Sequence, residues 1–518
     1  MNVLSAYYDL KVSPTTYDVT TFLALAEMWR LHHNLDAIDL YIVANDLAEG
    51  YRENEIDTPK AKKDWMLQNV LLQTHTLVKS CRRTIFVPDR NELTLSPNST
   101  SQVFPEHYNV QAPKAFYLTT EIIHFGLRGF PYPKFDVTLE AAAHIDTWLK
   151  HRANGRRLVT ITLRQSSRQP ERNSNIDSWV KFAHSLDRNL YAPVFVPDTE
   201  ALFQPLDTRI EPFEIYPFAA LSVELRMALY NTAYMNLLIN NGPNNLLIFN
   251  PNARYIQFRP CRQGINTEAE TLAQHGYTKD YNPVLRNSFQ KVVLDIDELE
   301  NIERNFHQIV ARIDSGAAPI RDKWPQPEIW LYRFAEHSAY KDALKVLELL
   351  LETSENPGIF NREFETLLLQ KSDEQFREGR LGPALQALDI LKDRLPTHIE
   401  IGMRRIQILL KLDRIEEMTD EFERLNEIGA DLTQLLIVWG QGLLATGQLV
   451  EAKSKIDTYL LHFPNDLNAL NVLAEWYKKS EDLNEYLATL RKLLNLLPEN
   501  DSDKRNEIQT LISSVEQI

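Results

Sequence analysis

"LVTITLRQSSRQPERNSN", residues 158–175, decides how this chain is read. An apolar, β-branched run from Leu158 to Leu163 stops at Arg164. Arg168 and Arg172 follow at four-residue steps among Ser, Gln and Asn. The run predicts a strand buried on both faces, the polar stretch a loop, and "NIDSWVKFAHSLD", 175–187, an amphipathic helix. In a parallel α/β sheet, ligands sit outside the carboxyl ends of the strands. A helix N-terminus there offers free N–H groups to an anion, and arginine forks match phosphate oxygens with paired hydrogen bonds. Arg164, Arg168 and Arg172 are therefore candidate ligands of a diphosphate. The alternative is that they are solvated loop charges or partners of nearby acids.

Working outward, residues 1 to about 313 alternate strand and helix. "VLSAYYDLKV", "TTFLALAEMWRLHH", "AIDLYIVAN", a helix over "DWMLQNVLLQTHTLVKSC" (64–81) and "RTIFVPD" form a βαβαβ pattern. The pattern restarts at "RLVTITLR", after a helix predicted over 138–152. Two Rossmann-like halves facing across a cleft are expected, 1–137 and 138–313. A long amphipathic helix, with Leu299, Ile302, Phe306, Ile309 and Ile313 on one face, closes the second. Two further strand ends in that half carry polar loops. "LLINNGPNNLLIF", 237–249, puts Asn240, Asn241, Gly242 and Pro243 after an apolar run. Asparagine both donates and accepts, and glycine allows close backbone approach. "VPDTE", 196–200, puts Asp198 at the rim. The structural alternatives are a turn at 240–243 and a helix cap or Asx-turn at Asp198.

The segment 314–328 holds three prolines and reads as a linker. From 329 to 518 the chain repeats every 34 residues. Pro396, Ala430, Pro464 and Pro498 keep that spacing; so do Gly379, Asp413, Gly447 and Glu481, and Ala384, Met418, Ala452 and Tyr486. This period, with a turn residue between two helices and proline after the second, resembles the tetratricopeptide repeat. Such pairs bury their apolar faces only by stacking, so an α-solenoid is expected. Asp413 and Ala430 depart from the pattern.

Composition sets outer limits. The chain has 518 residues, 44% hydrophobic and 25% charged, with formal net charge −15. Most of that charge falls after residue 330, which argues against nucleic acid as the main partner. No run of about 18 apolar residues predicts a membrane span. The first residues lack a signal-peptide pattern, and two cysteines, Cys81 and Cys261, make no disulfide framework. A reducing, cytoplasmic setting is expected, with "NST" at Asn98 a chance sequon. No His/Cys cluster has metal-ligand spacing, and no glycine-rich phosphate loop of the dehydrogenase or P-loop kind occurs.

Three strand ends in one half-domain, "LRQSSRQPERN", "PDTE" and "NNGPNN", resemble the nucleotide-sugar half of a GT-B glycosyltransferase over about 155–260. The fucosyltransferase-like enzymes keep an arginine just after a strand for the donor diphosphate, usually with histidine two residues earlier; here Thr162 stands there. Heptosyltransferase-like enzymes carry a D-S-G-P loop where this chain has "NNGP". The resemblance implies a bacterial, metal-independent glycosyltransferase with no tightly bound cofactor. It implies that Arg164 holds the diphosphate of a nucleotide-sugar and that Asn241, Gly242 and Pro243 line the donor pocket. It places the acceptor and the catalytic base in the first half, where the candidates are Asp9, Glu121 and His124. The sugar would go to a protein or glycan acceptor, and the repeats would bind the acceptor protein or an assembly partner. The rival expectation is a non-catalytic repeat scaffold carrying a degenerate transferase domain.

Overall fold

The computed structural model describes every residue except 48, 56–57, 94–101, 200–204, 263–267, 279–284, 499–500 and 517–518. Asn98 of the sequon and Glu200 of "VPDTE" lie outside the described residues. The chain divides into two compact units, Met1–Leu350 and Leu351–Ile518.

In the first unit, β1 (Val3–Asp9), α1 (Asp18–His32), β2 (Ala37–Val43), α2 (Lys60–Met66), β3 (Cys81–Val87) and β4 (Val103–Phe104) come first. The strands form a parallel sheet in the order β3-β2-β1-β4. Then come α3 (Thr119–Leu127) and α4 (Leu139–Arg152). The helix expected over 64–81 stops at Met66 and continues only as short irregular turns. Asn69 and Thr74 turn their side chains onto the carbonyls of Trp65 and Val70, the local competition that loosens a helix.

A second parallel sheet follows. Its strands are β5 (Arg157–Thr162), β6 (Tyr191–Val196), β7 (Glu214–Ile215), β8 (Met235–Ile239), β9 (Tyr255–Phe258) and β10 (Gln290–Val293). Between them lie α5 (Ile176–Ser185), α6 (Phe218–Leu221), α7 (Val223–Thr232), α8 (Asn245–Ile248) and α9 (Ala269–Gln274); α10 (Leu299–Asp314) follows β10. The strand order is β10-β9-β8-β5-β6-β7. Counted from β5, that is the doubly wound order 3-2-1-4-5-6, and its switch point lies between β5 and β8. Every residue of β5 after Arg157 is buried, as a strand covered on both faces requires.

One apolar cluster joins Leu4, Phe22 and Leu40 of the first sheet's layer to Met227, Tyr230 and Leu247 of the second's. The expected boundary at 137/138 therefore does not separate two independent cores. The segment expected as a linker is docked: Ile320 and Ser288 exchange hydrogen bonds, and Trp324 packs on this cluster. Gly126 is required there, because a Cβ would run into the Trp324 ring. Two more helices, α11 (Pro327–Glu336) and α12 (Tyr340–Thr353), follow, and the first unit extends through them to Leu350.

The second unit comprises α13 (Pro357–Arg377), α14 (Leu381–Arg394), α15 (Ile399–Lys411), α16 (Ile415–Glu427), α17 (Leu436–Ala445), α18 (Leu449–His462), α19 (Leu467–Lys479), α20 (Leu483–Leu496) and α21 (Ser502–Val515). It is a tetratricopeptide-like stack of helix pairs. The 34-residue period has a backbone cause. Gly379, Asp413, Gly447 and Glu481 all adopt left-handed φ, at 76°, 56°, 82° and 59°, each between the two helices of a pair. Ala384, Met418, Ala452 and Tyr486 are buried where helices meet. Met418 is accommodated because Gly442 opposite has no Cβ; one there would lie 2.5 Å from the Met418 Cε. No described helix is long and apolar enough to cross a membrane.

Candidate functional site

Three strand ends of the second sheet open on one cavity of about 240 Å³. The loop after β5 contributes Arg164, Arg168 and Arg172, the loop after β6 Asp198, and the loop after β8 Asn241, Gly242 and Pro243. Thr15, Thr16 and Tyr17, at the β1–α1 junction, line the other side together with Glu55 and Lys62. Arg226 of α7 borders it as well. The β5 and β8 loops flank the switch point, where adjacent crossovers diverge and leave a crevice.

The β5 loop is held by its own first arginine. Arg164 Nη1 donates to the Gln169 carbonyl (3.0 Å) and to Asn173 Oδ1, and Nη2 donates to the Arg168 carbonyl (2.6 Å). Ser174 Oγ accepts from the Arg164 amide at 2.8 Å. Arg164 thus organises the loop that presents Arg168 and Arg172. The Arg172 guanidinium is pulled down to about 10, first by burial and then by the charges of Arg164, Arg259 and Arg168. The like charges that depress it are of the kind that an anion offsets. The Asp198 carboxylate accepts the Gln165 amide at 3.0 Å and so ties the β6 loop to the β5 loop.

In the β8 loop, Asn241 Nδ2 donates to the Leu163 carbonyl at 3.5 Å, while its Oδ1 has no partner among the described residues. Gly242 sits against Tyr17, and a Cβ would lie 2.8 Å from the ring. Asn245 Nδ2 donates to the Tyr17 carbonyl (3.3 Å) and to Thr21 Oγ1 (3.2 Å). These contacts fix the two walls of the cavity to each other. Asn240 lies outside it: its Oδ1 accepts from Gln257 (3.1 Å) and Arg259 (2.8 Å).

Several expectations are corrected. The N-terminus of α5 is not open to a ligand, because Asp297, 2% exposed, accepts the Asn175 amide and the Trp179 indole N–H, both at 2.8 Å. The chain supplies that helix with its own anion. Asp9 is a structural acid. It is buried against Arg90 at 2.9 Å, and it accepts from the Tyr108 hydroxyl (2.6 Å) and the Lys11 amide (2.9 Å). Glu121 pairs with Lys345 at 2.5 Å and His124 with Asp342 at 2.8 Å, binding α3 to α12. These two line a separate, aromatic cavity of about 560 Å³ and not the arginine-lined one. Two nearby arginines pair elsewhere: Arg152, the last residue of α4, with Glu214 (3.4 Å), and Arg157, the first of β5, with Asp314 (3.0 Å).

The sequence reading missed three groups. Arg226 falls at i+3 of the apolar stripe Val223, Met227, Tyr230, and a charge on such a stripe was the available signal. Glu55 accepts from the Thr15 amide and hydroxyl, both at 3.0 Å. Burial holds Asp18 above the usual carboxylate range, only partly offset by the Thr16 hydroxyl at 2.7 Å and by Arg52. No group of three or more His, Cys, Asp or Glu among the described residues could hold a metal ion.

No protein-family model and no curated protein matches the chain. Among solved structures it is similar to MamA from Desulfovibrio magneticus RS-1, residue 41 to the end (18% identity, 30% of this chain and 95% of that chain, TM-score 0.26). It is also similar to a tetratricopeptide repeat protein from Parabacteroides merdae ATCC 43184 (16%, 36% and 73%, 0.26) and to YrrB, a TPR protein with an unusual peptide-binding site (15%, 34% and 91%, 0.27). The repeat assignment here rests on the helix pairs and their left-handed turns.

Proposed function

We propose that the arginine-lined cavity binds a nucleotide-sugar and that the chain is a metal-independent GT-B glycosyltransferase whose helical repeats engage the acceptor protein or an assembly partner. The observation that carries this reading is the convergence of three arginines, Asp198 and the Asn241–Pro243 loop, from three strand ends, on one cavity at the switch point. Arginine forks with an acid beside them suit a ligand that joins phosphates to hydroxyls. In the proposed reaction an acceptor hydroxyl attacks the anomeric carbon and loses its proton to a carboxylate. The anomeric carbon–oxygen bond breaks, and the nucleoside diphosphate leaves with the electron pair. Arg168 and Arg172 would stabilise the charge that develops on it. Glu55, which lines the cavity on the first sheet's side, replaces Asp9, Glu121 and His124 as the base candidate.

A second reading, a binding scaffold without turnover, is favoured by one observation: the Arg164 side chain is engaged by its own loop. Full-length protein incubated with a panel of nucleotide-sugars separates the two. Release of nucleoside diphosphate supports the transferase; binding of nucleoside diphosphate with no release from any donor supports the scaffold.

A further inference from the structure

Arg226 is 1% exposed and borders the cavity from α7. Its Nε donates to the Ala219 carbonyl and its Nη1 to the Tyr230 hydroxyl at 3.4 Å. The Tyr230 hydroxyl is in turn 2.9 Å from Thr162 Oγ1, at the end of β5. This network holds the guanidinium rigidly from one side. Nη2, the remaining nitrogen, is buried and has no hydrogen-bond partner among the described residues. A buried guanidinium with an empty donor is costly to fold around. The cavity that it borders presents Arg164, Arg168 and Arg172 together with the acids Asp198 and Glu55. The empty donor is filled by the arrival of an anion.

We infer that Arg226 is an anion receptor of this cavity, its Nη2 donating to a phosphoryl oxygen of the ligand. The inference rests on the reading of the cavity as a phosphate-binding site, but not on transferase activity. It also gives Thr162 a role: through Tyr230, it orients the receptor from β5.

The test is calorimetric binding of inorganic pyrophosphate to the full-length chain, with melting temperatures measured alongside. Arg226→Met fills the same space without charge. It is expected to lose pyrophosphate affinity by about 10- to 100-fold, as for one charge-assisted hydrogen bond. A cooperative melt of the ligand-free variant shows that it is folded. Unchanged pyrophosphate affinity in folded Arg226→Met overturns the proposal, as does the absence of pyrophosphate binding by the parent at millimolar concentration. If Arg226→Met is insoluble, Arg226→Lys keeps the charge but not the fork; affinity equal to the parent's overturns the proposal there too. Pyrophosphate binding that depends on Arg226, with no turnover of any nucleotide-sugar, would sink the transferase reading and leave this one standing.

Discussion

At the scale of single residues, the cavity separates groups that present charge from groups that hold others in place. Arg164 belongs to the second kind, since its Nη groups close the 165–173 loop on three acceptors. Arg164→Ala is expected to open that loop. Limited proteolysis should cut between 165 and 173, and stability should fall by about 1–3 kcal/mol, the cost of losing hydrogen bonds from a charged donor to part-buried acceptors. A variant as protease-resistant as the parent would show that the loop closes without Arg164. Asp18 gives a pH signature. Its folded pKa is raised by burial, so the folded state binds a proton more readily than the unfolded one. Stability contributed by this group is therefore present at low pH and declines as pH rises from the ordinary carboxylate value through the raised one. Asp18→Asn is expected to flatten that decline in chemical denaturation at a series of pH values. An unaltered pH profile would show that Asp18 is solvated.

At the scale of elements, the left-handed turns explain why the 34-residue period tolerates substitution at one place and not at another. The position between paired helices needs φ near +60° to +80°, which glycine adopts without strain. Asp413 and Glu481 hold it against a steric cost. Asp413→Gly and Glu481→Gly are each expected to stabilise the stack by about 1 kcal/mol, measured by urea denaturation. Destabilisation by either would mean that the carboxylates make compensating contacts. The β-elements follow a different rule. Short strands such as β7, with two residues, and β9 and β10, with four, carry too little sequence to announce themselves, and tertiary pairing creates them.

At the scale of the whole molecule, the Pro-rich segment and the next two helices belong to the first compact unit. Trp324 packs on its core, and His124 and Glu121 are paired with Asp342 and Lys345. A fragment ending at Asp314 would expose that surface and leave α3 with unpaired buried groups. It is expected to be insoluble, whereas a fragment ending at Thr353 should be soluble and melt cooperatively by calorimetry. A cooperative, soluble 1–314 fragment would show that the later helices are dispensable.

The amino-acid sequence by itself determined what is periodic or local. The apolar run ending at Arg164 specified a buried strand, the βα alternation specified parallel sheets, and the 34-residue spacing specified stacked helix pairs. Each rests on neighbours within a few turns of chain. It also marked the polar strand ends, because a parallel sheet puts its loops where its strands stop. Only the tertiary structure decided which of those loops meet. It assigned Asp9 to Arg90 and Tyr108, Asp297 to the start of α5, and Glu121 and His124 to α12. It also brought Arg226 and Glu55 to the cavity. A charge reads the same in sequence whether it is exposed, paired or buried with an empty donor. That difference is fixed by partners up to 224 residues away, as for Glu121 and Lys345, and by the burial that makes an unmet hydrogen bond costly.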